Sequence, residues 1–199
     1  MRVFALRRAL FGALLLTTAV SCRSGGGEPL PVLSELPQFS LIERSGTALD
    51  KAALAGRPAI VDFIFTRCPA SCPRLTARMK ELEKRLPESS KVRLLSITVD
   101  PEHDVPEVLT RYADGWQAGP RWLFATGERA AIWELVRKGF LLAVEETPED
   151  TTSPILHSNR FALVDGQGRL RATYLAFEAD ALDRVLADLA KVEAESGKR

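Results

Sequence analysis

The sequence is poor in the side chains that build most metal and disulfide centres: its 199 residues hold three Cys, two His, two Met and two Tyr. Three cysteines cannot staple a disulfide-built miniprotein, and two histidines exclude a centre of three or four imidazoles. Charge of one sign is lacking as well. With 27 basic against 26 acidic residues the net charge is +1, so no cationic surplus exists to neutralise phosphates and a nucleic-acid partner is excluded. Apart from the amino-terminal segment, there is no long apolar run, no internal repeat and no low-complexity block. What is present is 46% hydrophobic and 27% charged, the composition of an ordinary globular chain with room for one domain of roughly 150 residues plus extra segments. Each Cys and His therefore carries weight.

Residues 1–22 read MRVFALRRALFGALLLTTAVSC. Arg2, Arg7 and Arg8 precede an apolar run of 12 residues, Ala9 to Val20. That is shorter than the ~20 residues a membrane-spanning helix needs, and it suits the apolar core of a signal peptide. Ala19 and Ser21 are small, and Arg-Ser-Gly-Gly-Gly follows Cys22. A cysteine so placed resembles the bacterial lipoprotein signal, in which it becomes the lipid-bearing first residue. Ala19 stands where that pattern prefers Leu, and the other reading is a plain secretory peptide cut near Ala19 or Ser21. The expectation is a signal peptide over 1–21, a lipidated Cys22, a flexible Gly- and Pro-bearing tether over 22–37 and a folded domain over 38–195. Removing 1–21 leaves 24 basic against 26 acidic residues. Such a protein works on the outer, periplasmic side of a bacterial membrane, anchored to it, where unprotected thiols oxidise.

Ala59 to Phe65 (AIVDFIF) is almost continuously apolar and rich in branched and aromatic residues, which predicts a central buried strand. Pro73 opens a helical pattern in which Leu75, Met79, Leu82 and Leu86 recur at helical spacing. Val92 to Val99 (VRLLSITV) predicts a second buried strand, and Val105, Val108, Leu109 and Tyr112 a short helix. Trp122 to Ala125 reads as a third strand, followed by a helix carrying Ala131, Ile132, Leu135, Val136 and Phe140. After the polar stretch EETPEDTTSP, Arg160 to Val164 and Leu170 to Tyr174 flank Asp165-Gly166-Gln167-Gly168, a hairpin signature. Leu182, Val185, Leu186 and Leu189 mark a last helix. This order predicts an α/β, thioredoxin-like fold, a central mixed sheet with helices on both faces.

The chemistry concentrates in Phe65-Thr66-Arg67-Cys68-Pro69-Ala70-Ser71-Cys72-Pro73, where a buried strand passes into a helix at the carboxyl edge of the sheet. A helix start favours thiolate, so a lowered cysteine pKa is expected there. Three intervening residues let two sulfurs form a disulfide or bind one metal. Soft thiolates select Cu(I) and zinc, and Cu(I) is satisfied by two or three ligands. The plainer reading is a structural disulfide or two buried thiols.

With its flanks, the motif resembles the Sco/SenC family of copper-binding, cytochrome c oxidase assembly proteins. The resemblance runs from about Phe39 to the C-terminal helix. It rests on Phe39-Ser40-Leu41 with Gly46, Leu54-Ala55-Gly56, the Cys68–Cys72 segment, Ser96-Ile97-Thr98-Val99-Asp100-Pro101 with Asp104-Val105-Pro106-Glu107, His157-Ser158, and Leu163-Val164-Asp165 with Gly168. Leu156 stands where that family often has an acidic residue. The resemblance implies that Cys68, Cys72 and His157 ligate copper, as Cu(I) or Cu(II), in a metallochaperone for the copper centre of cytochrome c oxidase. It implies as partners the oxidase's copper-binding subunit and other copper chaperones, with the lipid anchor holding the chain to the membrane.

The alternative is an enzyme, a thiol–disulfide oxidoreductase in which Cys68 and Cys72 are the redox pair that reduces the copper-ligand cysteines of the oxidase subunit. Exchange needs a thiolate and a resolving cysteine but no histidine, so His157 favours copper. Asp62, interrupting the apolar strand, leans the other way: it resembles the buried carboxylate of thioredoxins that moves protons to and from a cysteine, or else it faces the less covered side of the strand. His103, in a polar turn, reads as solvated. Asp100 and Asp104 read as turn and N-cap residues, with a supporting role near the metal open for Asp100. A peroxidase is disfavoured because the motif does not resemble that of peroxiredoxins.

Overall fold

The apolar run at 59–65 becomes the middle of the sheet. The computed structural model describes residues 28–69, 71–150 and 154–197; the expected signal peptide and Cys22 lie outside them. The first half of the chain forms β1 (Ser34–Glu35), β2 (Ser40–Glu43), β3 (Ala48–Asp50), β4 (Ala59–Ile64), α1 (Ser71–Arg85), β5 (Arg93–Thr98) and α2 (Pro106–Gly115). The second half forms β6 (Trp122–Thr126), α3 (Arg129–Glu134), β7 (Val144–Glu146), β8 (Ile155–His157), β9 (Arg160–Val164), β10 (Arg169–Leu175) and α4 (Ala181–Ser196).

Among the described residues, eight strands make one mixed sheet in the order β1-β10-β9-β4-β5-β6-β2-β3, and β7 pairs with β8 in a separate ribbon. β4, β5 and β6 run parallel, while β9 meets β4 antiparallel. All six residues of β4 are buried, as expected of a strand with neighbours on both edges and helices on both faces. Right-handed crossovers put α1 and α2 on one face, where Thr76 Oγ1 and Tyr112 Oη lie 2.7 Å apart. α4 joins them there through the Arg85–Asp183 ion pair. On the opposite face, Phe140 meets the ring of Phe63 edge-on at 5.0 Å.

Three expectations change. The tether over 22–37 is cut short. Arg171, itself buried, donates to the carbonyls of Leu30 (2.5 Å) and Pro31 (3.1 Å), Ser34–Glu35 pairs with β10, and Leu36 is buried. A two-residue edge strand carries no periodicity that a sequence pattern could reveal. Secondly, α1 begins at Ser71 rather than Pro73, which sits in its first turn, where a missing N–H is harmless. Thirdly, the helix read through Phe140 is α-helical only to Glu134. Leu135–Gly139 widens into a π turn, with the Phe140 N–H bonded to Leu135 O at 3.1 Å. Gly139 fits there because a Cβ would stand 3.0 Å from Leu135 Cδ1 and Pro37 Cδ.

Candidate metal centre

β4 delivers the cysteine loop. The strand ends at Ile64, buried Phe65 follows, and Thr66 and Arg67 turn the chain so that Cys68 precedes α1 and Cys72 falls in its first turn. Cys68 is 4% exposed and Cys72 fully buried. The turn is held by Asp104. Its carboxylate accepts from Thr66 N (3.0 Å), Thr66 Oγ1 (2.5 Å) and Thr98 Oγ1 (2.5 Å), tying together the carboxyl ends of β4 and β5. The N-cap expected of Asp104 is therefore replaced: Val105 takes that position before α2, and the aspartate points inward. Burial raises the acid's pKa, and the bonds from Thr66 and Thr98 oppose the rise.

Asp100 is a turn residue as expected, its carbonyl accepting from the N–H groups of His103 and Asp104. Its side chain does more. It is buried, and its Oδ2 lies 2.6 Å from Arg67 Nε, beside Cys68. His103 is exposed on that turn, in keeping with a solvated residue.

The structure brings His157 to Cys72 across 85 positions of chain, with Cys68 beside them. Cys72 Sγ lies 3.2 Å from His157 Nε2, and the Cys72 N–H donates to Cys68 Sγ at 3.5 Å. Ser71 Oγ is 3.4 Å from Cys68 Sγ, and the Phe65 N–H donates to Cys72 Sγ at 3.5 Å. His157 Nδ1 lies 3.2 Å from Ser158 O. A carbonyl can only accept, so Nδ1 carries the hydrogen and the Nε2 lone pair faces the sulfur, the tautomer a metal ligand requires. The ring of Phe65 backs the imidazole edge-on at 5.5 Å. Among the described residues no three His, Cys, Asp or Glu side chains are gathered in a ready metal-binding geometry.

The expected lowering of cysteine pKa fails at Cys72. Burial pushes this thiol well above its ordinary value, the Phe65 N–H opposes the rise, and the neighbouring Cys68 adds to it. Desolvation outweighs the helix start because the sulfur sits inside the core rather than at its rim. Asp62 is also in the core, not on a less covered face. It is fully buried, and neither carboxylate oxygen has a hydrogen-bond partner among the described residues. Burial raises its pKa to about 7, and Ser96 opposite it on β5 and the nearby His157 offset only part of that. Two chemistries fit this arrangement: capture of a soft cation by two sulfurs and an imidazole, and dithiol–disulfide exchange. Sequence reasoning missed the inward role of Asp104, and it passed over Arg129 and Glu146 altogether. A polar residue on a turn looks the same whether it faces solvent or the loop beneath it.

A family model described as SCO1/SenC matches residues 31–193. The SCO1 protein homolog of Bacillus subtilis (strain 168) is 32% identical over 172 residues, covering 84% of this chain and 88% of its own length. A Stutzerimonas stutzeri protein named for copper binding is 32% identical over 160 residues, covering 79% of this chain and 78% of its own. The solved structure of BsSco, a member of the Sco family of cytochrome c oxidase assembly proteins in which a disulfide switch was identified, superposes with a TM-score of 0.75. It is 29% identical and covers 83% of this chain and 98% of its own. Its fold matches the mixed sheet described above.

Proposed function

The chain belongs to the SCO1/SenC family, and from that premise we propose that it carries copper, as cargo, for assembly of the copper centre of cytochrome c oxidase. Cys68, Cys72 and His157 are the ligands in this reading. The observation that carries it is the 3.2 Å approach of His157 Nε2 to Cys72 Sγ. An imidazole lone pair aimed at a buried thiol beside a second cysteine is a soft, three-donor set, which suits Cu(I). Cys72 must give up its proton when copper binds, so copper uptake releases protons and affinity rises with pH. The oxidase's copper-binding subunit and other copper chaperones are the partners proposed for transfer.

A second reading, thiol–disulfide exchange by Cys68 and Cys72, is favoured by one observation: Asp62, on the strand leading to the cysteines, is a buried carboxyl without a hydrogen-bond partner among the described residues. A carboxyl with a pKa near neutrality can accept and return a proton. The disulfide switch of the 29% identical BsSco supports the same reading. The lipid anchor at Cys22 and a place on the outer side of a bacterial membrane remain part of the proposal, and the sequence pattern of residues 1–27 supports them. Mass spectrometry of the mature amino terminus tests this: a diacylglyceryl cysteine is expected, and a start upstream of Cys22 would replace it with plain secretion.

The central experiment is Cu(I) titration of the mature chain against a chromophoric chelator. One copper per chain is expected, and His157→Ala should weaken binding at least about tenfold, ~1.4 kcal/mol. Equal affinity in parent and variant would remove His157 from the ligand set. Full affinity combined with a disulfide that turns over a partner would favour the exchange reading.

A further inference from the structure

The β7–β8 ribbon that carries His157 stands outside the main sheet, and two strands alone are marginal. Val144 and Ile155 are buried beneath it, and Arg137 Nη2 donates to Val144 O at 2.7 Å. Close packing stops there. Beside the cysteine loop lies a hollow of about 200 Å³ lined by Arg67, Arg129, Glu146, Pro148, Pro154 and Ile155. Charges span it. Arg67 Nε is 2.6 Å from Asp100 Oδ2, Asp100 Oδ1 is 3.7 Å from Arg129 Nη2, and Arg129 Nη1 is 3.0 Å from Glu146 Oε1. Glu146 pairs with Ile155 in the ribbon register, and Val144 with His157. Arg129 is held in place from its other sides by Glu102, through Nε and Nη2 at 2.6 to 2.9 Å, and by the Trp133 ring at 5.4 Å.

We propose that Arg129 and Glu146 are positioning residues of the metal centre. The charge chain Arg67–Asp100–Arg129–Glu146 clamps the ribbon to the cysteine loop and so sets how readily His157 joins the two sulfurs on one ion. This inference rests on the reading of His157 as a ligand. Neither residue touches the ion; both act through His157 alone, and that distinguishes a clamp from general support of the fold.

The test is a mutant cycle on the mature chain, read as Cu(I) affinity by chelator competition. Glu146→Gln and Arg129→Gln should each weaken binding about two- to fivefold at low salt, the range expected of an exposed ion pair. In a His157→Ala background both should have no effect. The loss should also shrink at high salt, where exposed charges are screened, and Arg129→Lys should recover part of it. Unchanged affinity in the native background, or an equal loss with and without His157, would overturn the clamp. Glu146 is exposed, so Glu146→Gln keeps the test decisive should Arg129→Gln fail to fold. Equal affinity of His157→Ala and the parent would instead overturn the ligand reading, and the clamp with it.

Discussion

Cys68 and Cys72 sit where β4, a strand buried along its whole length, passes into the 15-residue α1. His157 ends β8, a three-residue strand in a ribbon that, among the described residues, joins no other strand. One half of the centre is over-determined. Ladder bonds lie on both edges of β4, helices cover both faces, and Asp104 accepts two hydrogen bonds from Thr66 in the loop that follows and a third from Thr98 of β5. Among the described residues the other half is held by the buried side chains of Val144 and Ile155, the bond from Arg137 to the Val144 carbonyl, the edge of the Phe65 ring and the Arg129–Glu146 ion pair. A carrier that must take up and surrender an ion gains from this asymmetry. In the proposed carrier a rigid dithiol would hold the site and the more lightly held imidazole would open and close it.

The comparison can be broken most forcefully at Asp62, a buried carboxyl of the rigid half with no hydrogen-bond partner among the described residues. Its pKa of about 7 lies above the usual 3.8. The folded chain thus keeps a proton that the unfolded chain has released. The contribution of this group to stability is therefore greatest below pH 4, falls as pH rises towards 7 and levels off above it. The whole shift is worth about 4 kcal/mol. Urea unfolding of the parent across pH 4 to 8 should show that fall, and Asp62→Asn should flatten it. Parallel curves for the two proteins would mean that Asp62 is not desolvated as described.

Asp104 offers the next largest effect. Asp104→Ala strands the Thr66 N–H and two hydroxyls in the interior and should cost about 3 kcal/mol of unfolding free energy. Glu146→Gln, in the lightly held half, should change unfolding free energy by no more than about 0.5 kcal/mol. If both variants lost the same stability, the contrast between the halves would collapse. A last test sharpens the contrast without mutation. Amides paired between β7 and β8 should exchange through local openings at least about 2 kcal/mol easier than those of β4, measured by native-state hydrogen exchange. Equal protection would make the ribbon part of the rigid unit.

Legibility follows the same division. β4, α1, β5, β6, the β9–β10 hairpin and α4 all showed their periods in the sequence, because each is long enough to repeat a pattern. β1, β2, β3, β7 and β8 are two to four residues long, too short to display alternation, and they went unread. The cysteine pair was visible from spacing and neighbours, whereas His157 became a candidate only through resemblance to a family. The direction of the Cys72 pKa was misread because a helix start is a local feature and burial is not.

By itself the sequence determined what is local: a buried strand running into a helix with two thiols at the junction, the hairpin turn at Asp165–Gly168, and the amphipathic last helix. These follow from side-chain period and backbone chemistry within a few residues. Only the tertiary structure decided that His157 meets Cys72, that Asp104 turns inward beneath Thr66, that Asp62 is shut in the core, and that Arg129 reaches Asp100 and Glu146. Each of these joins residues far apart in the chain or depends on how deeply a group is buried. Strand order and the depth of the core set both, and no run of neighbouring residues encodes either.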